Sequence, residues 1–199
     1  MKFSKIISFI FHPVLMPSYA FSLVLNFVPG VNNVTDPMQK IQLSKLIFGF
    51  TFFLPILSII ILKKMKLVSS YYMENKEERR FPLLIAIACY YFLLQILERM
   101  YTHTILVKLL LGAMLILFVA VIISSFWKIS LHMLGIGGVF GAFLALQYLF
   151  SGKLFLIILL LFCSGLVAYA RINEKAHTLK QVYSGFLVGT CVEFLIFYV

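Results

Sequence analysis

The sequence predicts an all-α integral membrane protein, a single transmembrane domain over residues 1–199. Three observations lead there. Of its residues 62% are hydrophobic and only 12% charged, about half of the ~25% that keeps a water-soluble domain solvated. The mean hydropathy is +1.04. The apolar residues also come in runs too continuous to be one face of an amphipathic helix. At about 1.5 Å per residue, a run of about 20 crosses the ~30 Å hydrocarbon core of a bilayer.

Seven segments carry this pattern, at 6–29, 44–62, 82–97, 105–126, 132–150, 154–170 and 181–198. The first begins "MKFSKIISFIFHPVLMP", with a basic start but no small-x-small cleavage site, so it reads as retained rather than as a cleaved signal. Pro13 and Pro17 would each break a helix there. Spanning the membrane, lying in its interface and re-entering it all remain open for this segment. The chain thus divides into an N-terminal hydrophobic element over 1–30 and a six-helix core over 44–198. Pro82 falls at the start of the third segment, where a missing N–H costs a helix nothing. Cys89, Cys163 and Cys191 lie inside apolar segments without metal-like spacing and read as small buried hydrophobes. "GIGGVFG" at 135–141 has no strand before it, so it is not a dinucleotide loop. Its glycines, with Gly185 and Gly189, suit close helix packing. Glu193, inside the last segment, is expected to face the bundle or an interface rather than lipid.

The net charge is +10. It fits anchoring at a membrane with anionic headgroups, or a basic site for an anionic substrate. No soluble basic face exists for nucleic acid. Polar residues concentrate in three islands, "NKEERRFP" at 75–82, "WKISLH" at 127–132 and "ARINEKAH" at 170–177. Two crossings separate each island from the next, so all three emerge at one membrane face. There they could build one composite site. Arg79, Arg80, Lys128 and Arg171 supply cations for phosphoryl oxygens. Ser130 adds a hydroxyl where a helix should begin and its free N–H groups point at an anion. His132 and His177 can divide nucleophilic and acid roles near neutral pH. His12 and His103 have no such company and read as structural. Lys175 and Lys180 read as solvated charges.

"ARINEKAHTLKQVYSGFLVG" resembles the third motif of the type 2 phosphatidic acid phosphatase superfamily, and "KISLHMLG" resembles its second. "NKEERRFP" stands where the first belongs, and the likeness covers about residues 70–190. The resemblance implies a six-helix phosphatase-like bundle and a phosphoryl transfer that needs neither cofactor nor metal. His177 would be the nucleophile and His132 the acid. Arg171 and Ser130, with Arg79 or Arg80, would hold the phosphoryl group. The implied substrate is a lipid phosphate or isoprenoid diphosphate, and the implied place a bacterial inner membrane with an extracytoplasmic site. The sole aspartate, Asp36, rules out aspartate-rich magnesium centres.

The chain departs from the family pattern at Ala170, Ile129 and Leu131, and it lacks the first-motif lysine, for which Lys76 or Lys128 is the candidate substitute in space. Most important, Gln181 occupies the place of the aspartate that orients the nucleophile. An amide accepts the ring N–H but brings no charge. Two readings stay open beside a scaffold role: a lipid phosphate hydrolase, or an impaired relative that binds or transports phospholipid headgroups. The positive-inside rule does not orient the bundle. If the first segment spans, twelve Lys and Arg share the islands' face against five opposite. If it does not, and the five residues that could be ligands are set aside, the count is five against seven. Nothing in the sequence fixes an oligomeric state.

Overall fold

The computed structural model describes residues 2–28, 31, 36–69, 77–100 and 104–198. Lys76 and His103 lie outside them. Among the described residues the regular structure is all helical: α1 (Lys2–Ile10), α2 (Met16–Phe27), α3 (Pro37–Phe48), α4 (Leu54–Lys64), α5 (Arg80–Met100), α6 (Thr104–Phe126), α7 (Leu131–Phe150), α8 (Leu154–Asn173) and α9 (Leu179–Ile196). Grouped into continuous stretches, seven are long and apolar enough to cross a membrane.

Two segments differ from expectation. The first starts at Lys2, and it breaks once rather than twice, because Pro17 lies in the first turn of α2. The break falls where Pro13 opens a 3₁₀ turn, Pro13–Leu15, capped by His12, whose Nδ1 accepts the Val14 N–H at 3.4 Å. The second begins at Pro37, seven residues earlier than the apolar run. Asp36 caps it by accepting the Met38 N–H at 3.0 Å, and Pro37 takes the first position, where no N–H is needed. Its middle loosens into a π turn over Gly49–Phe53. Pro55 brings no N–H to the carbonyl of Thr51, and the buried Tyr90 hydroxyl of α5 donates to that carbonyl instead, at 3.5 Å. The Thr51 hydroxyl donates to the Ile47 carbonyl and meets Ser18 of α2 at 2.8 Å.

The outer faces of the helices are as apolar as their inner faces. On α8, Leu156, Leu160, Ser164 and Val167 point inward at helical spacing. Phe155 and Phe162 point outward, 75% and 64% exposed. Water would penalise that pattern, whereas acyl chains would not. The cysteines correct the expectation that all three are buried: Cys191 is exposed, and Cys89 and Cys163 are partly so.

The centre of the fold is α7, buried for two thirds of its length, with α2, α6, α8 and α9 around it. Its tightest partner is α9. Glycines make this approach possible. A Cβ on Gly189 would lie 2.2 Å from the Leu134 carbonyl oxygen, and one on Gly141 would lie 2.3 Å from that of Thr190. Lipid offers no hydrophobic drive to pair helices, so such backbone contact supplies much of the association energy. Gly189→Val should therefore destabilise the bundle by about 1–3 kcal/mol, the usual cost of overpacking. A fall in the thermal unfolding midpoint of the detergent-solubilised protein would register it. An unchanged midpoint would show that the seam is loose.

Candidate functional site

The α7–α9 seam brings two of the polar islands together at its N-terminal end. The Ser130 N–H donates to the Gln181 carbonyl at 3.4 Å, joining the first turns of α7 and α9. A Cβ on Gly185 would sit 2.8 Å from the Ser130 carbonyl oxygen. Ser130 caps α7: its buried hydroxyl accepts the Met133 N–H at 3.5 Å. Thr178 caps α9 in a reciprocal box, its hydroxyl accepting the Gln181 N–H while Gln181 Oε1 accepts the Thr178 N–H at 3.1 Å.

Between α8 and α9 the chain must turn within five residues. It uses a Schellman motif, in which Ala176 N–H donates to Arg171 C=O at 3.1 Å and Lys175 N–H to Ile172 C=O at 2.9 Å. Lys175 accordingly adopts a left-handed φ of 54°. That turn carries His177 back over the end of the bundle.

Each imidazole is held by a carbonyl oxygen, which fixes its tautomer. His177 Nδ1 donates to Gln181 Oε1 at 3.1 Å, leaving Nε2 with its lone pair free of hydrogen. His132 Nε2 donates to the Ser8 carbonyl at 3.1 Å. The two imidazoles interact electrostatically with each other and with Arg171. Burial pushes the pKa of His177 down to about 4. The Gln181 bond opposes the shift, and the charges of Arg171, Arg79 and Lys128 add to it. His177 is therefore neutral at physiological pH.

Arg171 is placed with this group but is already engaged. Its Nη1 contacts Glu174 Oε2 at 2.6 Å and donates to the Ser8 hydroxyl at 3.0 Å, while that hydroxyl donates to Glu174 Oε2 at 3.2 Å. Arg171 Nε and Glu174 Oε1 are buried and have no hydrogen-bond partner among the described residues. Arg79 is buried, donates to the Ile129 carbonyl at 3.1 Å, and has its pKa lowered by burial and then by Arg171. Lys128 is partly buried within electrostatic reach of His177. Arg80 is exposed and donates to Ser125 at 3.2 Å, on the rim rather than in the cluster.

Three site neighbours were not legible as such in the sequence. Ser8 bridges α1 to Arg171 and His132. His12 lies edge-on to His132, with ring centroids 5.6 Å apart. Glu174 partners Arg171, and here a signal existed, since residues three apart on a helix face each other. α1 lies along the end of α8, where Asn173 also donates to Ser4 at 2.8 Å. Among the described residues no three His, Cys, Asp or Glu side chains gather as a metal site would require. The cluster holds three cations, Arg79, Lys128 and Arg171, against one carboxylate, and so favours an anion.

No protein-family model, curated protein or solved structure matches the chain. The site must therefore be read from its own chemistry.

Proposed function

We propose that the chain is a membrane-embedded hydrolase that removes phosphate from a lipid phosphate or isoprenoid diphosphate through a phosphohistidine. The observation that carries this reading is the pair of imidazoles, each oriented by a carbonyl oxygen, beside Arg171, Arg79 and Lys128 at one end of the bundle. The resemblance to type 2 phosphatidic acid phosphatases supports the same assignment of roles. His177 Nε2 attacks phosphorus and the bond to the alkoxy oxygen breaks. His132, protonated on both ring nitrogens in the complex with the anionic substrate, gives one proton to that leaving oxygen and returns to the neutral ring that the Ser8 carbonyl holds in this structure. Water then attacks the phosphohistidine, giving up a proton to His132, and inorganic phosphate departs.

Arg171 and Arg79 hold the phosphoryl oxygens, and Lys128 adds charge. Ser130 acts through its place at the start of α7, where N–H groups face the anion. Arg80 serves the rim, beside the membrane headgroups. A lipid substrate follows from position: the cluster caps apolar helices, so a headgroup can meet it while the hydrocarbon stays among acyl chains. By the same resemblance we place the site on the extracytoplasmic side of a bacterial inner membrane.

A second reading, headgroup binding without turnover, is favoured by one observation: the group that orients His177 is the amide of Gln181, which brings no negative charge to the attacking ring. The two are separated by phosphate release from purified protein, assayed over a panel of lipid phosphates with chelator present. The hydrolase reading expects turnover that His132→Ala lowers by about 10²–10⁴-fold, the usual contribution of a general acid. Lipid binding without release by the wild type would leave only the binder.

A further inference from the structure

At the opposite end of the α6–α9 contact lies a carboxyl group that the proposed hydrolysis does not use. Glu193 is only 2% exposed, and among the described residues its buried Oε1 has no hydrogen-bond partner and its carboxyl group no ion pair. Its seat is made by the facing helix. A Cβ on Gly112 would lie 2.4 Å from Glu193 Oε2, so any side chain there would expel the carboxyl group. Lys108 stands one turn before Gly112 on α6, and its Nζ donates to the Phe197 carbonyl at 3.1 Å, one turn beyond Glu193. Lys108 and Glu193 thus belong to neighbouring turns of one α6–α9 seam.

We propose that Glu193 is a proton-exchange site, neutral in this arrangement and paired with the Lys108 ammonium once it gives its proton up. A bare carboxylate in so apolar a place is strongly disfavoured, because nothing replaces the water it gives up. Two states avoid that cost, a neutral acid or an ion pair, and this seam offers both. Losing the proton draws the long Lys108 arm from the Phe197 carbonyl to the carboxylate, and regaining it returns the arm. Other ionisable groups on the packed helices do not compete: His132 of α7 and Tyr169 of α8 lie toward the imidazole end. Tyr148 of α7 stacks near Tyr198 past the end of α9, Arg171 of α8 is at the far end, and Lys153 donates to the Ser151 carbonyl.

The test uses the full-length protein and dicyclohexylcarbodiimide, an apolar reagent selective for protonated carboxyl groups. The acid proton moves to a carbodiimide nitrogen and the carboxylate oxygen bonds to its carbon. The adduct then rearranges to a stable N-acylurea that peptide mass spectrometry locates. Glu193 should be labelled in mildly acidic buffer and at least tenfold less in mildly alkaline buffer, with Glu193→Gln giving no label at that peptide. Lys108→Met removes the partner of the ionised form, so labelling should persist to more alkaline pH. The wild-type profile needs no substitution and stands if a variant fails to fold. Absence of label at every pH, an extent independent of pH, or a Lys108→Met profile identical to wild type would each overturn the proposal. None of these outcomes bears on the imidazoles at the other end.

Discussion

His177→Ala should reduce phosphate release from a lipid phosphate by on the order of a thousandfold or more, because removing a covalent nucleophile leaves only binding and electrostatic contributions. Lipid binding should persist, since Arg171, Arg79 and Lys128 remain. The same residue sets the expected acid limb. Burial, reinforced by three nearby cations and opposed by the Gln181 bond, holds His177 near a pKa of about 4. The limb of kcat/KM that reports the free imidazole should therefore fall near that pH rather than near the ordinary 6.5. The sign for stability follows. Unfolded His177 takes up a proton below about 6.5 and the folded one only near about 4, so its contribution is complete above 6.5 and is lost as pH falls through about 4. Unchanged turnover in His177→Ala would remove the nucleophile from the scheme.

Gln181→Glu should have the next largest effect, in the opposite direction. In a serine protease triad, an amide in place of the orienting carboxylate lowers turnover about ten-thousandfold. Here the amide oxygen already sits 3.1 Å from His177 Nδ1. Glutamate has the length to keep that distance and is an accepted third residue of a capping box, so it also preserves the start of α9. Aspartate, one methylene shorter, would pull back from both partners. A carboxylate there stabilises the positive charge that grows on the ring as Nε2 attacks, and turnover should rise by roughly tenfold to a hundredfold. The His177 pKa should rise with it, readable by NMR of the labelled imidazole. A raised pKa without faster turnover would show that another step limits the reaction.

The bundle was legible in the sequence because lipid-facing and core-facing residues are both apolar, which leaves runs that nothing else explains. The gathering of His132, Arg171 and His177 was legible because paired crossings return the chain to one face. What escaped depends on tertiary placement. No local pattern tells that α1 folds against the end of α8, so Ser8 and His12 read as unremarkable. Their contacts with Arg171 and His132 arise between residues more than a hundred positions apart. The early start of α3 had a readable cause in Asp36 and Pro37, but hydropathy alone cannot see a polar first turn. At the π turn, the Thr51 carbonyl to which Pro55 brings no N–H is taken by the Tyr90 hydroxyl, again a partnership made across the fold.

The Ser8 hydroxyl and Glu174 now occupy the Arg171 edge that a phosphoryl group would take, so binding must displace both. Whether phosphorus then reaches His177 is open to direct observation. Purified protein is mixed with a radiophosphate-labelled lipid phosphate, quenched in alkali, where phosphohistidine survives, and digested for peptide mapping. The account predicts label on the peptide carrying His177, formed before phosphate appears in solution and absent from His177→Ala. Phosphate released with no label on that peptide, or label on a different residue, would contradict it.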